Sequence, residues 1–323
     1  MKVGFIGSCY IARQHAAALR AVDGLHFTAC ADIELERARE LAKLTGCRAT
    51  TDIGEVIETC DVIWVCTPPK AHREQVIACL EAGKHVYCEK PLAATVEDGQ
   101  AIVSAADRSQ ALAAMGFNFR FHGPWQKCKA LLDSGELGDP VMFFCQRIGA
   151  GSTSGWRRDP EQLCGMTIES VSHNVDLMRF LLGDVSTVSA HIAAADSHQP
   201  EFDNCLVATI GLRSGVIGSI QATWASAIPA TRHGVVGTAA TALVEGPSQF
   251  EFTEVRFACR EEEERVYHFG LPANPSQAAC EHFIAAIRGE TALQIPIGDG
   301  LRALEVCAAM TQSARSDGAV ISL

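Results

Sequence analysis

The sequence predicts two domains of different class, divided near residue 120. Residues 1–120 alternate short apolar runs with helical patterns, which predicts an α/β domain built on a doubly wound parallel sheet. Residues 121–323 carry longer runs of alternating polarity and separate helices, which predicts an α+β domain with a mostly antiparallel open sheet. A chain of 323 residues is long enough to bury a core in each domain.

Five β-rich runs define the predicted parallel sheet, and four helical patterns separate them. The strands are KVGFIG, HFTACAD, DVIWVCT, HVYCEK and ALAAMGFN. The helices are ARQHAAALRAV, LERARELAKLTG, AHREQVIACLEAG and VEDGQAIVSAADRSQ. In the third helix Val76, Ile77 and Leu80 fall on one face, and Gly83 stands where a helix C-terminus favours glycine. Nearly all-apolar strands separated by helices of this length are typical of a parallel sheet covered on both faces.

The second domain opens with the helical segment FHGPWQKCKALLDSG, after which the pattern changes at GELGDPVMFFCQRIGAG. The run NCLVATIGLRSGVIGSIQATW predicts two strands joined by a turn at Arg213-Ser214-Gly215. Further helices are predicted for CGMTIESVSHNVDLMRFLLGD, SQAACEHFIAAIRG and GDGLRALEVCAAMTQSARS. Strands segregated from helices indicate a sheet with helices on one face.

Composition limits the kinds of partner that the chain can bind. The formal net charge is −11, and no block of Lys and Arg occurs. Because nucleic-acid binding needs a concentrated basic surface, we expect no nucleic-acid partner. The first residues lack the continuous apolar stretch of a secretory signal, and no run of about 18 apolar residues occurs. We therefore expect a soluble, cytoplasmic protein with no membrane partner.

Fourteen cysteines are scattered along the chain, with no pair at CxxC spacing. Disulfide frameworks are typical of short secreted chains, and zinc sites are typical of closely spaced cysteine pairs. Several cysteines lie inside apolar runs such as WVCTPP and HVYCEK, where Cys behaves as a small hydrophobe. The sequence therefore predicts buried free thiols.

The first predicted strand runs into GSCYIA, where a dinucleotide-binding fingerprint would stand. The pattern GxGxxG/A lets the chain turn tightly and approach a pyrophosphate above a helix N-terminus. Gly7 and Ala12 fill the first and third places, whereas Cys9 stands at the second, where its Cβ crowds the expected pyrophosphate position. An ordinary strand–helix turn is the alternative interpretation of these residues.

The acid at the end of the second strand favours dinucleotide binding. Asp32 lies 25 positions after Gly7, where a carboxylate accepts the ribose hydroxyls of adenosine. The same carboxylate repels a 2′-phosphate, and Ile33 brings no compensating charge. Loop and acid together predict a Rossmann domain that binds NAD in preference to NADP.

Over essentially its whole length the sequence resembles the Gfo/Idh/MocA family, named after glucose–fructose oxidoreductase and inositol dehydrogenase. The motifs are Thr67-Pro68 with His72, GKHV, Glu89-Lys90-Pro91, GFNFRF, SGELGDPV and the ending GDGLRALEVCAAMTQSA. The resemblance implies a nucleotide-binding domain and then a substrate domain that also forms subunit contacts, so we expect a homodimer or homotetramer. It implies hydride transfer between NAD(P) and a secondary alcohol of a sugar or cyclitol.

The resemblance also implies which residues lie along the cofactor. They are Gly7, Cys9, Tyr10, Ile11, Asp32, Thr67, Pro68, His72, Glu89, Lys90 and Asn118. The chain departs from the family pattern at two positions. Cys9 replaces the second glycine of the loop, and Glu169 stands where the second-domain motif of the family has Asp, four residues before His173.

The predicted helix of the second domain carries a group of polar residues with catalytic potential. Glu169, His173 and Asp176 follow one another at i, i+4 and i+7, which places them on one helix face. A solvated face with local charge pairing is one alternative interpretation. A divalent-cation site is another, although a single helix offers incomplete coordination.

Oxidising an alcohol requires a proton acceptor, because the nicotinamide takes only the hydride. His173 is the candidate general base, and Glu169 would orient its imidazole. Asp176 would support these two residues without contacting the substrate itself. Lys90 lies at the end of a first-domain strand, where its ammonium would bind the reacting oxygen and stabilise alkoxide charge. The sequence leaves open whether Lys90 or His173 is the immediate proton acceptor.

Substrate contacts are expected from Arg120 and Arg157 in addition to Glu169 and His173. Arg147 and the GWRRDP segment with Arg157 and Arg158 belong to the same expected cleft, and guanidinium groups bind carboxylates or phosphates bidentately. A surface loop with paired charges is the alternative for that segment. Two other functions are compatible with the sequence: an NAD-assisted glycoside-cleaving enzyme, and a non-catalytic dinucleotide-binding regulator.

Overall fold

In the computed structural model, which describes residues 1–151, 162, 164–194, 203–248 and 250–323, the N-terminal part of the chain forms a six-stranded parallel sheet. Its strands are β1 (Lys2–Ile6), β2 (His26–Ala31), β3 (Arg48–Thr50), β4 (Val62–Val65), β5 (His85–Cys88) and β6 (Ala113–Met115). They lie in the order β3-β2-β1-β4-β5-β6, and every adjacent pair is parallel. This is the doubly wound order, with a topological switch point between β1 and β4, so the predicted fold of the first domain is confirmed.

Five helices connect these strands: α1 (Tyr10–Leu19), α2 (Leu35–Thr45), α3 (Ile53–Thr59), α4 (Pro69–Glu81) and α5 (Val96–Arg108). As predicted, Gly83 follows the end of α4 with a positive φ of 71°, and its N–H donates to the carbonyl of Leu80 at 3.0 Å. The sequence pattern missed β3 and α3, because a strand of three residues and a helix of seven show too little periodicity to recognise.

Within the described residues, the second sheet has nine strands and is mostly antiparallel, which confirms the predicted class of the second domain. Its strands are β7 (Pro140–Ala150), β8 (Val185–Ala193), β9 (Cys205–Leu212), β10 (Ile217–Thr223), β11 (Ala225–Gly237), β12 (Ala240–Gly246), β13 (Glu254–Cys259), β14 (Arg265–His268) and β15 (Ile321–Ser322). Their order is β14-β13-β12-β11-β7-β10-β9-β8-β15. The pair β7–β10 is parallel and the other paired strands are antiparallel.

Helices cover one face of this sheet. They are α6 (Gly123–Asp133), α7 (Ser172–Leu182) and the C-terminal part of α9 (Ile297–Arg315). Strands β9 and β10 alternate buried and exposed residues, as a sheet with one covered face requires. The turn predicted at residues 213–215 joins them, and Gly215 has a φ of 88° and donates to Leu212.

The boundary between the two units differs from the predicted one. The first unit comprises Met1–Asn118 and Asn274–Leu304, and the second comprises Phe119–Ala273 and Glu305–Leu323. The prediction assigned every residue after 120 to the second domain. Helix α8 (Gln277–Ile287) belongs to the first unit because its Phe283 ring packs against Trp64 and Tyr87, with ring centroids 5.8 and 5.7 Å apart.

Candidate active site

The turn between β1 and α1 has the geometry that a phosphate-binding loop needs. Gly7 has a φ of 88°, and a Cβ at this position would lie 2.7 Å from the backbone carbon and oxygen of Cys66. Only glycine fits there without displacing the end of β4. Helix α1 begins without a side-chain cap, so its first N–H groups are available to an anion.

Cys9 occupies the second fingerprint position in a conformation that any residue adopts. Its φ is −74° and its ψ is −175°, so the backbone there does not require glycine. The thiol donates to the carbonyl oxygen of Cys66 at 3.2 Å, which directs Sγ toward the end of β4. The next two loop residues differ in exposure: Tyr10 is 70% exposed, whereas Ile11 is half-buried.

Asp32 lies at the carboxyl end of β2 beside this loop. One of its oxygens accepts the Ser8 N–H at 2.9 Å, and the other accepts the Glu34 N–H at 3.0 Å. Each oxygen keeps a second lone pair for a hydroxyl donor. The side chain of Ile33 is 92% exposed and brings no cation to the site.

His72 has a different role from the predicted cofactor contact. It is wholly buried, its Nε2 lies 2.8 Å from the Thr67 carbonyl, and its Nδ1 lies 3.1 Å from the carbonyls of Pro91 and Leu92. Burial lowers the pKa of this imidazole. His72 therefore packs between the Thr67-Pro68 turn after β4 and the Glu-Lys-Pro turn after β5, and its single N–H donates to one of them. Thr67 and Pro68 themselves remain half-buried at the surface of the unit.

The Glu-Lys-Pro turn follows β5 directly. The Glu89 N–H donates to the Val65 carbonyl at 2.9 Å, and the Glu89 carboxylate accepts the Lys90 N–H at 3.1 Å. The side chain of Lys90 is half-buried and Glu89 is buried. Asn118, which closes the first unit, donates to the Pro275 carbonyl at 3.3 Å. The carboxyl ends of β1, β2, β4 and β5 thus carry the predicted cofactor residues of this unit other than Asn118, which follows β6.

The 3₁₀ turn Asn118–Phe121 begins at the last residue before the second unit, and two of its second-unit side chains brace α7. The Phe119 ring stacks on the His173 imidazole, with centroids 4.2 Å apart and planes 17° from parallel. The Arg120 guanidinium binds the Asp176 carboxylate bidentately, with Nε 2.9 Å from Oδ2. We predicted that Arg120 contacts substrate; instead, it is 5% exposed and pairs with Asp176, because a buried carboxylate one turn from His173 needs a cation.

A π-helical turn, Thr167–Val171, precedes α7 and carries Glu169. The prediction of one regular helix here is corrected, since π-helical turns are widened and often occur at functional sites. Asp203 accepts the Thr167 N–H at 2.8 Å at the start of this turn. Glu169 is 1% exposed, His173 5% and Asp176 1%, which contradicts the alternative of a solvated charged face.

Arg147 holds the same turn from the sheet. It is fully buried, and its Nη1 donates to the Ser170 carbonyl at 2.7 Å and to the Asn174 side-chain oxygen at 3.3 Å. The amide nitrogen of Asn174 lies 3.0 Å from His233 Nε2. Burial lowers the pKa of His233 to about 3, so its imidazole is neutral and accepts the Asn174 hydrogen bond.

Arg157 and Arg158 lie outside the described residues. Within the described part of the chain, no three His, Cys, Asp or Glu side chains form a cluster that could hold a metal ion. Nine of the fourteen cysteines are buried, as predicted.

Sequence reasoning missed three residues that shape the site: His15, Phe119 and Asn174. His15 lies on the face of α1 that also buries Ala12, Ala16 and Leu19, and a histidine on an apolar helix face was the available signal. Phe119 and Asn174 gave no signal, because an aromatic and an amide beside other buried residues resemble ordinary core. None of the helices in the described residues is long and apolar enough to cross a membrane.

Comparisons with known proteins agree with this architecture. Residues 1–117 match the model of an oxidoreductase family with an NAD-binding Rossmann fold, and residues 125–243 match the GFO/IDH/MocA C-terminal domain. Inositol 2-dehydrogenase of Rhodococcus erythropolis is 35% identical over 204 residues, which cover 62% of this chain and 56% of that protein. The matched region thus spans little more than half the length of this relative.

Two solved structures share the fold. A levoglucosan dehydrogenase in complex with NADH has a TM-score of 0.90 at 22% identity, covering 100% of this chain and 98% of that one. The WlbA dehydrogenase from Bordetella pertussis, in complex with NADH and UDP-GlcNAcA, has a TM-score of 0.86 at 25% identity, with coverages of 100% and 98%.

Proposed function

The chain belongs to the Gfo/Idh/MocA family, and we propose that it is an NAD(H)-dependent oxidoreductase acting on a secondary alcohol or ketone of a sugar, cyclitol or related polyol. The observation that carries this proposal is the cradle formed by Gly7, the uncapped start of α1 and Asp32. Its parts suit a pyrophosphate and a ribose diol, and the Asp32 carboxylate disfavours the 2′-phosphate of NADP. The relatives named as inositol and levoglucosan dehydrogenases support the substrate class.

NAD, when bound, accepts or returns the hydride. The residues proposed to hold it are Gly7, Cys9, Tyr10, Ile11, Asp32, Thr67, Pro68, Glu89, Lys90 and Asn118. The protein must supply the proton chemistry. We assign this to Lys90 and His173: the Lys90 ammonium donates to the reacting oxygen and stabilises its developing negative charge, and the His173 imidazole takes and returns a proton.

Supporting residues keep the second of these groups in place. The Phe119 ring restricts the rotation of the His173 imidazole by stacking, and the Arg120–Asp176 pair holds α7 one turn further along. Glu169, in the π-helical turn braced by Arg147, is assigned to orient His173; at 1% exposed, it is too deeply buried for the substrate contact that we predicted. Arg157 is proposed to contact substrate on the basis of its sequence alone.

The second unit is proposed to form a homodimer or homotetramer through the open face of its sheet. Met142 and Ile217 are register neighbours on β7 and β10, and they are 41% and 58% exposed; Val207 on β9 is 55% exposed. Apolar side chains gathered on one sheet face are typical of an interface. Ile217→Asp should convert the oligomer to monomers in sedimentation velocity, and an unchanged sedimentation coefficient would contradict this assignment.

The compartment and the other partners follow from composition. Free buried cysteines such as Cys66, Cys88 and Cys145 suit a reducing environment, so we propose a cytoplasmic location. A net charge of −11 favours a small-molecule substrate over nucleic acid.

The first test is cofactor binding, followed by turnover. We expect NADH to bind more tightly than NADPH in fluorescence titrations, and Asp32→Asn to reduce that preference. Polyols and sugars are then screened for NADH formation, and both Lys90→Ala and His173→Ala should lower kcat by about 100- to 10,000-fold while NADH still binds. Absence of binding by either cofactor would contradict the proposal, and substrate consumption without NADH accumulation would favour NAD-assisted glycoside cleavage.

A further inference from the structure

A buried chain of three titratable side chains lies beneath the Glu-Lys-Pro turn. His15, in the second turn of α1, is its centre: its Nε2 is 2.7 Å from Glu89 Oε1, and its Nδ1 is 3.2 Å from Cys280 Sγ on α8. His15 and Cys280 are 0% exposed. The assignments made above for dinucleotide and proton chemistry leave this histidine without a role.

The Glu89 carboxylate joins His15 to the backbone of Lys90. A carboxylate only accepts hydrogen bonds, so Nε2 is the donor toward Oε1. The other oxygen, Oε2, accepts the Lys90 N–H at 3.1 Å. On the far side, a Cβ added to Gly116 would lie 3.0 Å from Oε1, so this glycine leaves just enough room for the carboxylate. The carboxylate is thereby held between α1, β6 and its own turn.

The surrounding charges favour an ionised pair. Burial alone would lower the pKa of His15, but the neighbouring Cys280 and Glu89 raise it to about 10. Burial would raise the pKa of Glu89, but the His15 hydrogen bond, the His15 charge and Lys90 bring it below its ordinary value. Among the described residues, Tyr87 on β5 also faces the imidazole, with ring centroids 5.1 Å apart. At neutral pH, His15 is therefore an imidazolium facing a carboxylate.

We propose that His15 is a positioning residue that fixes Lys90 through Glu89 and links the dinucleotide-binding loop to the Glu-Lys-Pro turn. The link is physical: the same ten-residue helix, α1, carries the proposed pyrophosphate-binding end and the imidazole that holds Glu89. This inference rests on the proposed function, because the loop and Lys90 owe their roles to it. It predicts that dinucleotide binding at the start of α1 stabilises the position of the Lys90 side chain. Loss of His15 should remove this coupling between the loop and Lys90.

The test reads Lys90 directly and needs no substrate. Lysines of the full chain are reductively methylated with formaldehyde and a borohydride reductant, with and without NADH. Mass spectrometry then measures the extent of methylation in the peptide that contains Lys90. Wild type should show Lys90 methylation slowed by NADH. In His15→Leu, NADH should still bind in the fluorescence titration, but its protection of Lys90 should be largely lost. With a substrate in hand, kcat of His15→Leu should fall about 100-fold with little change in KM, since small misplacements of catalytic groups have effects of that size.

Two further variants separate positioning from general destabilisation. His15→Gln keeps a neutral donor toward Glu89 and should restore part of the NADH protection. Cys79→Ala, which removes a fully buried thiol from α4 of the same unit, should leave Lys90 protection as in wild type. If NADH protects Lys90 from methylation to the same extent in wild type and in both His15 variants, the inference is overturned. A wild type that binds no NADH would overturn the proposed function instead.

A measurement on wild type alone tests the ion pair even if His15→Leu does not fold. The side-chain ¹⁵N shifts of His15 should show both ring nitrogens protonated at a pH between 6.5 and about 10. A neutral imidazole in that range would contradict the charged pair on which the positioning role depends.

Discussion

Each unit braces its functional segment with a buried ion pair, and the two pairs differ in their cation. In the first unit, His15 faces Glu89 beneath Lys90; in the second, Arg120 holds Asp176 one turn beyond His173. Guanidinium stays charged over the whole range in which proteins are folded, whereas imidazole can lose its proton. The second unit therefore has a permanent clamp, and the first has one that a rise in pH releases. A titratable cation can also relax to a neutral form when its partner is lost, which a guanidinium cannot do.

The largest effect is expected from breaking the permanent pair. Asp176→Asn leaves the Arg120 guanidinium buried without its carboxylate, and such a loss typically costs about 3–5 kcal/mol of folding free energy. Unfolding in guanidinium chloride at neutral pH measures this loss of folding free energy. Because the Arg120 guanidinium keeps its proton, the loss should be the same at every pH from neutral to about 10. A loss below that of the matching first-unit variant would invalidate the comparison.

The matching variant in the first unit is Glu89→Gln, and we expect a smaller loss. His15 can release its proton and keep a neutral hydrogen bond to the amide, so the change should cost about 1.5–3 kcal/mol, the range for a hydrogen bond to a charged group. The same unfolding measurement, at the same pH as for Asp176→Asn, gives the difference in stability loss between the two variants. Equal losses in both variants would show that His15 cannot relax.

The two pairs should also differ in their pH dependence. The pKa of His15 is raised from 6.5 to about 10 in the folded protein, so its stabilisation is fully present below pH 6.5 and disappears as the pH rises through 10. The stability difference between wild type and His15→Leu should therefore shrink over that interval. The difference between wild type and Asp176→Asn should stay constant over the same interval. A parallel decline in both differences would point to global alkaline unfolding.

An intermediate effect is expected from crowding the first pair without removing either partner. Gly116→Ala places a Cβ 3.0 Å from Glu89 Oε1, and overpacking of this kind costs about 1–3 kcal/mol. Gly218→Ala on β10 is the control in the second unit, because its new Cβ would first meet the flexible Met178 sulfur at 3.4 Å. Thermal unfolding should show a clear loss only in the first variant, and NADH protection of Lys90 should weaken with it.

The smallest effect is expected at the aromatic contact with His173. Phe119→Leu keeps an apolar side chain but removes the stacked ring, a contact worth about 0.5–1.5 kcal/mol beyond simple burial. The His173 side-chain resonances should shift and broaden, while Phe143→Leu in β7 should lose similar packing and leave those resonances in place. Unchanged His173 resonances in Phe119→Leu would mean that the ring orientation is set elsewhere.

Much of the fold was predictable because it depends on local patterns. The strands β1, β2, β4 and β5 are nearly all-apolar runs between helices of regular period, and a glycine marks the end of α4. The elements that escaped prediction, β3 and α3, are too short to show a period. The sequence also did not predict that α8 belongs to the first unit, because a helical pattern does not indicate which core the apolar face packs against. The contact of Phe283 with Trp64 and Tyr87 places α8 in the first unit.

The sequence by itself determined where the residues proposed for the chemistry stand: a glycine at the turn after β1, an acid after β2, a lysine in the Glu-Lys-Pro turn and a histidine on α7. These are properties of residue type and local spacing. Only the tertiary structure decided which polar residues support them. Arg120 proved to be the partner of Asp176 and His72 a residue packed between two loops, and His15 became the link to Glu89, which lies 74 positions away. Burial makes such partners obligatory, because a charge removed from water must find a counter-charge, and that partner is set by folding and not by spacing.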